Sequence, residues 1–387
     1  MEQGSSRRKF LAAGLAFPVA ASASRGSQPE PQAPPARPAA SAPTFTYRTL
    51  GKTGLKVTTV GFGCMITSDG SVVERGADLG ITYFDTARSY QNGNNERMVG
   101  AALKKKRKDI VLSTKTGAKT KADALAHIDT SLKELGTDYV DIWYLHGKSS
   151  IADVTDDLVD AQQTAKQAGK IRFAGVSTHA NQATLVPALA KHPQIDVILS
   201  AFNFTMEPAV AAALEEASKA GKGIVAMKVM AGRLRPDDPH AAIMKRGGAQ
   251  FAALKWVTKN QFVNTCIPSM TDNDQLDENL KAMASSFTPA DEKILAAHLE
   301  QIRPLYCNMC GACDGQCRLG LPVQDVLRVL TYADGYGQFG LARERYGEFA
   351  PEHANAKCAE CPGCTVECPR GVKVAERLIK AQELFAC

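Results

Sequence analysis

From Val57 onward, short apolar runs alternate with stretches whose apolar residues recur at helical spacing. The runs predict strands over 57–62, 81–85, 110–115, 139–146, 170–177, 195–204, 223–230 and 263–269. Between them, helices are predicted over 72–79, 153–168, 185–190, 211–220, 250–259 and 274–283. Another follows the third strand, where Leu125, Ile128, Leu132 and Leu135 mark its apolar face. Eight strand–helix pairs in roughly 240 residues predict a TIM (β/α)8 barrel. The competing doubly wound sheet should carry a Gly-rich phosphate loop after its first strand. Gly61-Phe62-Gly63 lacks the third glycine of that fingerprint. After the barrel, a helix is predicted over 288–302, opened by the cap Thr288-Pro289-Ala290-Asp291.

Three of these apolar runs end in groups that a buried strand tolerates only when they are paired. Ile81-Thr82-Tyr83-Phe84 ends in Asp85, and the polar loop after it presents Tyr90. The third strand ends in Lys115 and the fourth in His146. Barrel enzymes keep their chemistry at these strand ends. Reducing a carbonyl requires a hydride on carbon and a proton on oxygen. A tyrosine with a pKa of about 10 is a poor acid at neutral pH. An ammonium beside it favours the phenolate and is expected to lower that value. Tyr90 is therefore read as general acid, Lys115 as its tuner, Asp85 as the anchor of Lys115, and His146 as the group that orients the substrate oxygen.

The two ends of the chain depart from the barrel pattern. Ser6-Arg7-Arg8-Lys9-Phe10-Leu11 opens a mild apolar run, and Ala21-Ser22-Ala23 offers a small-residue cleavage site. Residues 1–23 are read as a twin-arginine signal peptide, which implies the export machinery as a partner and the bacterial periplasm as destination. A general secretory signal with a chance Arg-Arg is the competing reading. The run is about a dozen residues, too short to span a bilayer, and no transmembrane anchor is expected. Residues 24–43 hold six prolines among small polar residues and read as a Pro/Ala-rich linker. The barrel is expected over 44–304.

Composition adds little until the cysteines are counted. The 387 residues are 44% hydrophobic and 22% charged, within the range of globular domains. A net charge of +6 without a clustered basic face argues against nucleic acid. The run Lys104–Lys108 reads as a solvated helix end. Eleven cysteines are unusual, and eight of them form two tight groups. Cys307-x2-Cys310-x2-Cys313-x3-Cys317 is repeated as Cys358-x2-Cys361-x2-Cys364-x3-Cys368-Pro369. This is the bacterial ferredoxin run, in which the fourth cysteine ligates the other cluster. Cys307, Cys310, Cys313 and Cys368 should hold one 4Fe–4S cluster. Cys358, Cys361, Cys364 and Cys317 should hold the second. Residues 305–387 thus read as a small, mostly helical two-cluster domain, with a helix over 323–332 in the insert. Zinc and disulfides are the competing uses of eight thiols. Cys64, Cys266 and Cys387 are left over.

Residues 47–285 resemble the aldo-keto reductase family. The resemblance is carried by Tyr47–Leu55 with Gly61-Phe62-Gly63, by the Asp85-Thr86-Ala87…Tyr90 loop with Asn95-Glu96, by Gly175-Val176-Ser177, and by Ile267-Pro268-Ser269…Glu278-Asn279. It implies a carbonyl or alcohol substrate, the Asp85–Tyr90–Lys115–His146 tetrad, and a nicotinamide nucleotide held near Ser177, Thr178, Asn203, Lys228, Ser269, Gln275 and Asn279. Here the chain departs from the family. The Ser-Asn pair reads Ser177-Thr178, the usual glutamine falls at Leu199, and the usual stacking tyrosine falls near Met227. The loop 270–275 has two aspartates and no basic residue for a 2′-phosphate, leaving Lys228 as partial compensation. NAD(P)(H) is thereby put in doubt. The sequence reads as an exported aldo/keto reductase-type oxidoreductase whose clusters relay electrons from a redox partner protein. The alternatives are a conventional NAD(P)-dependent reductase with structural clusters, and an electron carrier whose barrel only docks a partner.

Overall fold

The computed structural model describes residues 45–232 and 248–385. The signal peptide and linker expected over 1–43 lie outside the described residues, as does Cys387. Two short strands, β1 (Tyr47–Thr49) and β2 (Lys56–Thr58), pair antiparallel. Eight parallel strands follow: β3 (Phe62–Gly63), β4 (Tyr83–Asp85), β5 (Val111–Thr116), β6 (Val140–Leu145), β7 (Ile171–Thr178), β8 (Val197–Ala201), β9 (Gly223–Met227) and β10 (Thr265–Cys266). Each pairs with its neighbour in chain order. Bridges from Val60 to Cys266 and from Gly63 to Ser269 close the sheet into a barrel.

The first expected strand, 57–62, is in fact split. Lys56–Thr58 belongs to the hairpin, and the barrel strand proper begins only at Phe62. The hairpin delivers Leu50, Leu55 and Val57 to the apolar cluster inside the barrel, with Tyr83, Tyr144, Leu199 and Val225. Gly63 is required at the closure, since a Cβ there would stand 2.5 Å from the Ile267 carbonyl oxygen.

The helices are α1 (Gly70–Leu79), α2 (Asn94–Leu103), α3 (Lys121–Leu135), α4 (Asp156–Gln167), α5 (Gln182–Lys191), α6 (Pro208–Lys219), α7 (Ala249–Lys259), α8 (Asn273–Met283) and α9 (Pro289–Ile302). The main apolar core lies between them and the strands. Thr288 and Asp291 form the capping box that opens α9. Beyond it come α10 (Val323–Asp334), α11 (Phe339–Tyr346), α12 (Pro351–Ala354) and α13 (Val374–Phe385). These have their own small core around Leu327, Leu330, Tyr346 and Leu378. Asp334 on α10 joins α13 through Arg377 at 2.5 Å and Lys380 at 3.0 Å. The C-terminal helices belong to the same compact unit as the barrel. They meet it at the C-terminal ends of its strands. Arg345 on α11 donates to the Ser89 carbonyl oxygen at 2.9 Å, and the Asn181 amide donates to the Met309 carbonyl oxygen at 3.2 Å.

Candidate active site

Parallel pairing of β4 with β5 sets Asp85 opposite Ser113 and brings Lys115 two residues further along the same face. Asp85 and Lys115 are 2% and 1% exposed. The Lys115 ammonium is ion-paired with Asp85 Oδ2. It also donates to the Thr86 carbonyl oxygen at 2.8 Å and to the Tyr90 hydroxyl at 3.2 Å. Ser113 Oγ donates to the other Asp85 oxygen at 2.7 Å. Every donor of Lys115 is thus spent, so its orientation is determined. His146 follows β6 directly and meets Tyr90 edge to face, with centroids 5.9 Å apart.

The loop that carries Tyr90 is held from below by a second set of contacts. Buried Glu96 is ion-paired with Arg88 and accepts from Thr114 Oγ1 at 2.6 Å. Asn95 donates to the Cys64 carbonyl oxygen at 2.8 Å and accepts from Thr86 Oγ1 at 2.6 Å. Arg345 holds Ser89 from the opposite side.

Electrostatics correct one expectation. Burial raises the Tyr90 pKa above its ordinary value, and the nearby Lys115 charge offsets this only in part. The site is closed enough that desolvation of a phenolate outweighs one ammonium, which itself faces Asp85. Tyr90 therefore rests as a neutral phenol with its proton in place. Burial opposes the Lys115 charge, but Asp85 and Tyr90 outweigh it and hold its pKa above the usual lysine range. Burial, then Lys115, Arg345, Arg328 and Lys228, push His146 well below the histidine range. His146 is a neutral imidazole that can donate to a carbonyl oxygen but brings no charge. Cys64 lies near the barrel mouth, but burial raises its thiol far above a reactive value.

A cleft of about 350 Å³ opens beside Tyr90 and Asp85 and runs to the loop and helix after β10. That volume suits a small ligand. Of the seven residues singled out for a nucleotide, four have their side chains engaged within the protein. Ser177 Oγ accepts from the Gly147 amide at 2.9 Å, and Thr178 Oγ1 donates to the Ala180 carbonyl oxygen at 2.7 Å. The Asn203 amide donates to the Lys228 carbonyl oxygen and to Tyr306 Oη, and its oxygen accepts from Thr205. Gln275 hydrogen-bonds Thr271 and Asp272 within its own loop. Ser269 and Asn279 line the cleft, and so does Lys228. Leu199 is buried inside the barrel, and Met227 lines the cleft wall. Asp272, Asp274 and Glu278, from the loop and helix after β10, also line the cleft.

The sequence reading missed four groups at this mouth. His179 lines the cleft one residue beyond Thr178, and its place at a strand end was the available signal. Tyr336, Arg328 and Arg345 come from α10, the turn after it, and α11, and no pattern ties those segments to the barrel.

The eight clustered cysteines fall into two groups. Cys307, Cys310, Cys313 and Cys368 line one small cavity. Burial pushes the Cys307 thiol up to about 12, with Cys313, Cys310 and Cys368 adding to the shift. Burial likewise raises Cys358, whose neighbouring thiols are Cys317, Cys364 and Cys361. Among the described residues, no three His, Cys, Asp or Glu side chains are arranged to hold a metal ion. The described cysteines are free thiols.

Comparison with known proteins agrees with the barrel. The sequence pattern of the Aldo/keto reductase family matches residues 69–246. L-Galactose dehydrogenase of Arabidopsis thaliana is 31% identical over 278 residues, covering 61% of this chain and 87% of that protein. The uncharacterized oxidoreductase YqkF of Bacillus subtilis (strain 168) is 36% identical over 148 residues, 34% of this chain and only 48% of YqkF. Among solved structures, the holo form of aldo-keto reductase AKR11C1 from Bacillus halodurans superposes with a TM-score of 0.57 at 26% identity, over 66% of this chain and 96% of that one. This chain, an oxidoreductase, belongs to the aldo/keto reductase family.

Proposed function

We propose that the protein interconverts a small carbonyl compound and its alcohol, with Tyr90 passing the proton to or from the substrate oxygen. The observation that carries this reading is the single ammonium of Lys115, which bonds both buried Asp85 and the Tyr90 hydroxyl. In the reducing direction Tyr90 Oη gives its proton to the developing alkoxide. The fixed Lys115 charge then stabilises the phenolate left behind, where burial alone would oppose it. Neutral His146 supplies a hydrogen bond to the same oxygen. Asp85 keeps Lys115 charged and turned toward Tyr90.

Family membership supports a nicotinamide nucleotide as the source of the hydride. The cleft has room along Ser269 and Asn279, but the groups that would grip the carboxamide are engaged elsewhere. The residues fit that nucleotide poorly, and no step is derived through it. A second reading is favoured by the cysteines, whose two groups join each run of three to the fourth cysteine of the other run. Four soft thiolates per group, with a cavity between the first four, suit 4Fe–4S clusters held by Cys307, Cys310, Cys313 and Cys368 and by Cys317, Cys358, Cys361 and Cys364. Such clusters supply electrons one at a time from a redox partner protein. This reading divides the chain near residue 304 and includes export to the bacterial periplasm by the twin-arginine route, on the strength of residues 1–23.

The test is anaerobic reduction of benzaldehyde by the purified protein and by Tyr90→Phe, with NADPH, NADH or reduced methyl viologen as donor. Turnover that falls at least a hundredfold in Tyr90→Phe supports the proton role, on the scale of general acid catalysis. Undiminished turnover by Tyr90→Phe refutes it. The donor that supports turnover separates the two readings.

A further inference from the structure

Lys228 stands one residue past the end of β9, where a side chain points into the mouth of the barrel. Its backbone is left-handed, at φ 57°. That conformation is strained for a non-glycine residue and persists where the surroundings hold it. The surroundings are two rings from the C-terminal segment. Lys228 Nζ lies 4.5 Å from the Tyr332 ring centroid and 5.3 Å from that of Tyr336. Tyr336 and His179 form the cleft wall together with Lys228.

The charge balance at this mouth is uneven. Lys115 is paired with Asp85, Arg328 with Asp325 at 2.9 Å, and Arg345 with Glu348 at 2.7 Å. Among the described residues, no carboxylate forms an ion pair with Lys228. His146 and His179, which face the same charges, are held neutral and add no compensation. Tyr332, still mostly protonated at neutral pH, gives Lys228 a hydrogen-bond partner but no full counter-charge, and an ammonium withdrawn from water without an anion is costly. Aromatic faces offset only a small part of that cost. Asp272, Asp274 and Glu278, from the loop and helix after β10, also line the cleft.

We propose that Lys228 is a subsite for an anionic group of the substrate, so that the cleft selects carbonyl compounds or alcohols bearing a carboxylate. This deepens the carbonyl–alcohol reading and rests on it for the reacting group. The carboxylate sits against Lys228 Nζ, and the carbonyl faces Tyr90 and His146. Selection in this form is a joint product of barrel and C-terminal segment, because Tyr332 and Tyr336 hold the ammonium in place and Arg328 supports Tyr332 with a 2.9 Å hydrogen bond.

The experiment compares para-carboxybenzyl alcohol with benzyl alcohol as ligands, by calorimetric titration of the full-length protein, and the corresponding aldehydes as substrates. A charged hydrogen bond predicts about tenfold to a hundredfold tighter binding of the carboxylate by the wild-type protein. Lys228→Met should erase that preference, while Lys228→Arg should retain most of it. Equal binding of the two alcohols by the wild-type protein overturns the proposal, whatever the variants do. A preference that survives in folded Lys228→Met also overturns it. A Lys228-dependent preference in a protein that reduces neither aldehyde with any donor would uphold the anion subsite and refute the carbonyl reading. Reduction of both aldehydes with equal KM would do the reverse.

Discussion

Replacing Lys115 by Met removes one charge from the middle of the site and leaves Asp85 2% exposed with no cation. Breaking a buried pair from one side costs about 3–5 kcal/mol, because the remaining charge is uncompensated. Asp85 keeps a bond from Ser113, which places the expectation at the lower end, about 3 kcal/mol. The double variant Asp85→Asn/Lys115→Met has no stranded charge. It should recover most of that loss, giving a coupling of about 2–3 kcal/mol in the cycle. Activity should behave differently. Both variants lack the ammonium beside the Tyr90 hydroxyl, so both should lose about 10²–10⁴ in kcat/KM. Urea unfolding of wild type, both singles and the double at pH 7 reads the first quantity, and steady-state reduction of an aldehyde reads the second. Failure of the double variant to regain stability would refute the buried pair. Recovery of activity along with stability would refute the claim that Lys115 acts on Tyr90.

Two other outcomes follow from the C-terminal segment. Burial opposes ionisation of Tyr332, but Lys228 and Arg328 outweigh it and lower its pKa to about 8, with the phenols of Tyr306, Tyr336 and Tyr90 and the carboxylate of Asp325 also nearby. A spectrophotometric titration should show one tyrosinate forming near pH 8, lost in Tyr332→Phe. The unfolded chain keeps that proton up to about pH 10, so the folded state binds fewer protons between 8 and 10. Stability from this group is complete above that window and is lost as pH falls through 8. Absence of the step near 8, or its persistence in the variant, counts against the placement of Tyr332. The cysteine grouping makes its own demand. After anaerobic reconstitution, Cys368→Ser should damage only the cluster with Cys307, Cys310 and Cys313, and Cys317→Ser only the one with Cys358. Each should retain about half of the wild-type iron and acid-labile sulfide. Zinc in place of iron would refute the cluster reading, and identical spectra for the two variants would refute the crossed grouping.

How far the sequence reached depended on whether the signal was local. Strand and helix periods are local, so the alternation that builds the barrel was legible, along with the helix expected over 323–332, which runs on to Asp334, and the Thr288–Asp291 cap. The split of the first strand was not legible, because Val57 and Phe62 are equally apolar and only barrel closure distinguishes them. Gln275 and Asn203 carry the right functional groups for a nucleotide. Whether those groups are spent on Thr271, Asp272, Tyr306 and Lys228 is a matter of distance, which no residue type reveals.

The sequence by itself determined the oxidoreductase family, and it placed a tyrosine, lysine, aspartate and histidine at strand ends and two runs of thiols at ligand spacing. Tertiary structure decided the charge states and the company these groups keep. Desolvation depends on everything packed around a side chain, so it could reverse the expected shift of Tyr90 although Lys115 stands where the sequence implied. The same holds for Lys228, an ordinary strand-end lysine in the chain. It becomes a charge without an ion-pair partner among the described residues only because Tyr332 and Tyr336, more than a hundred residues later, fold over it.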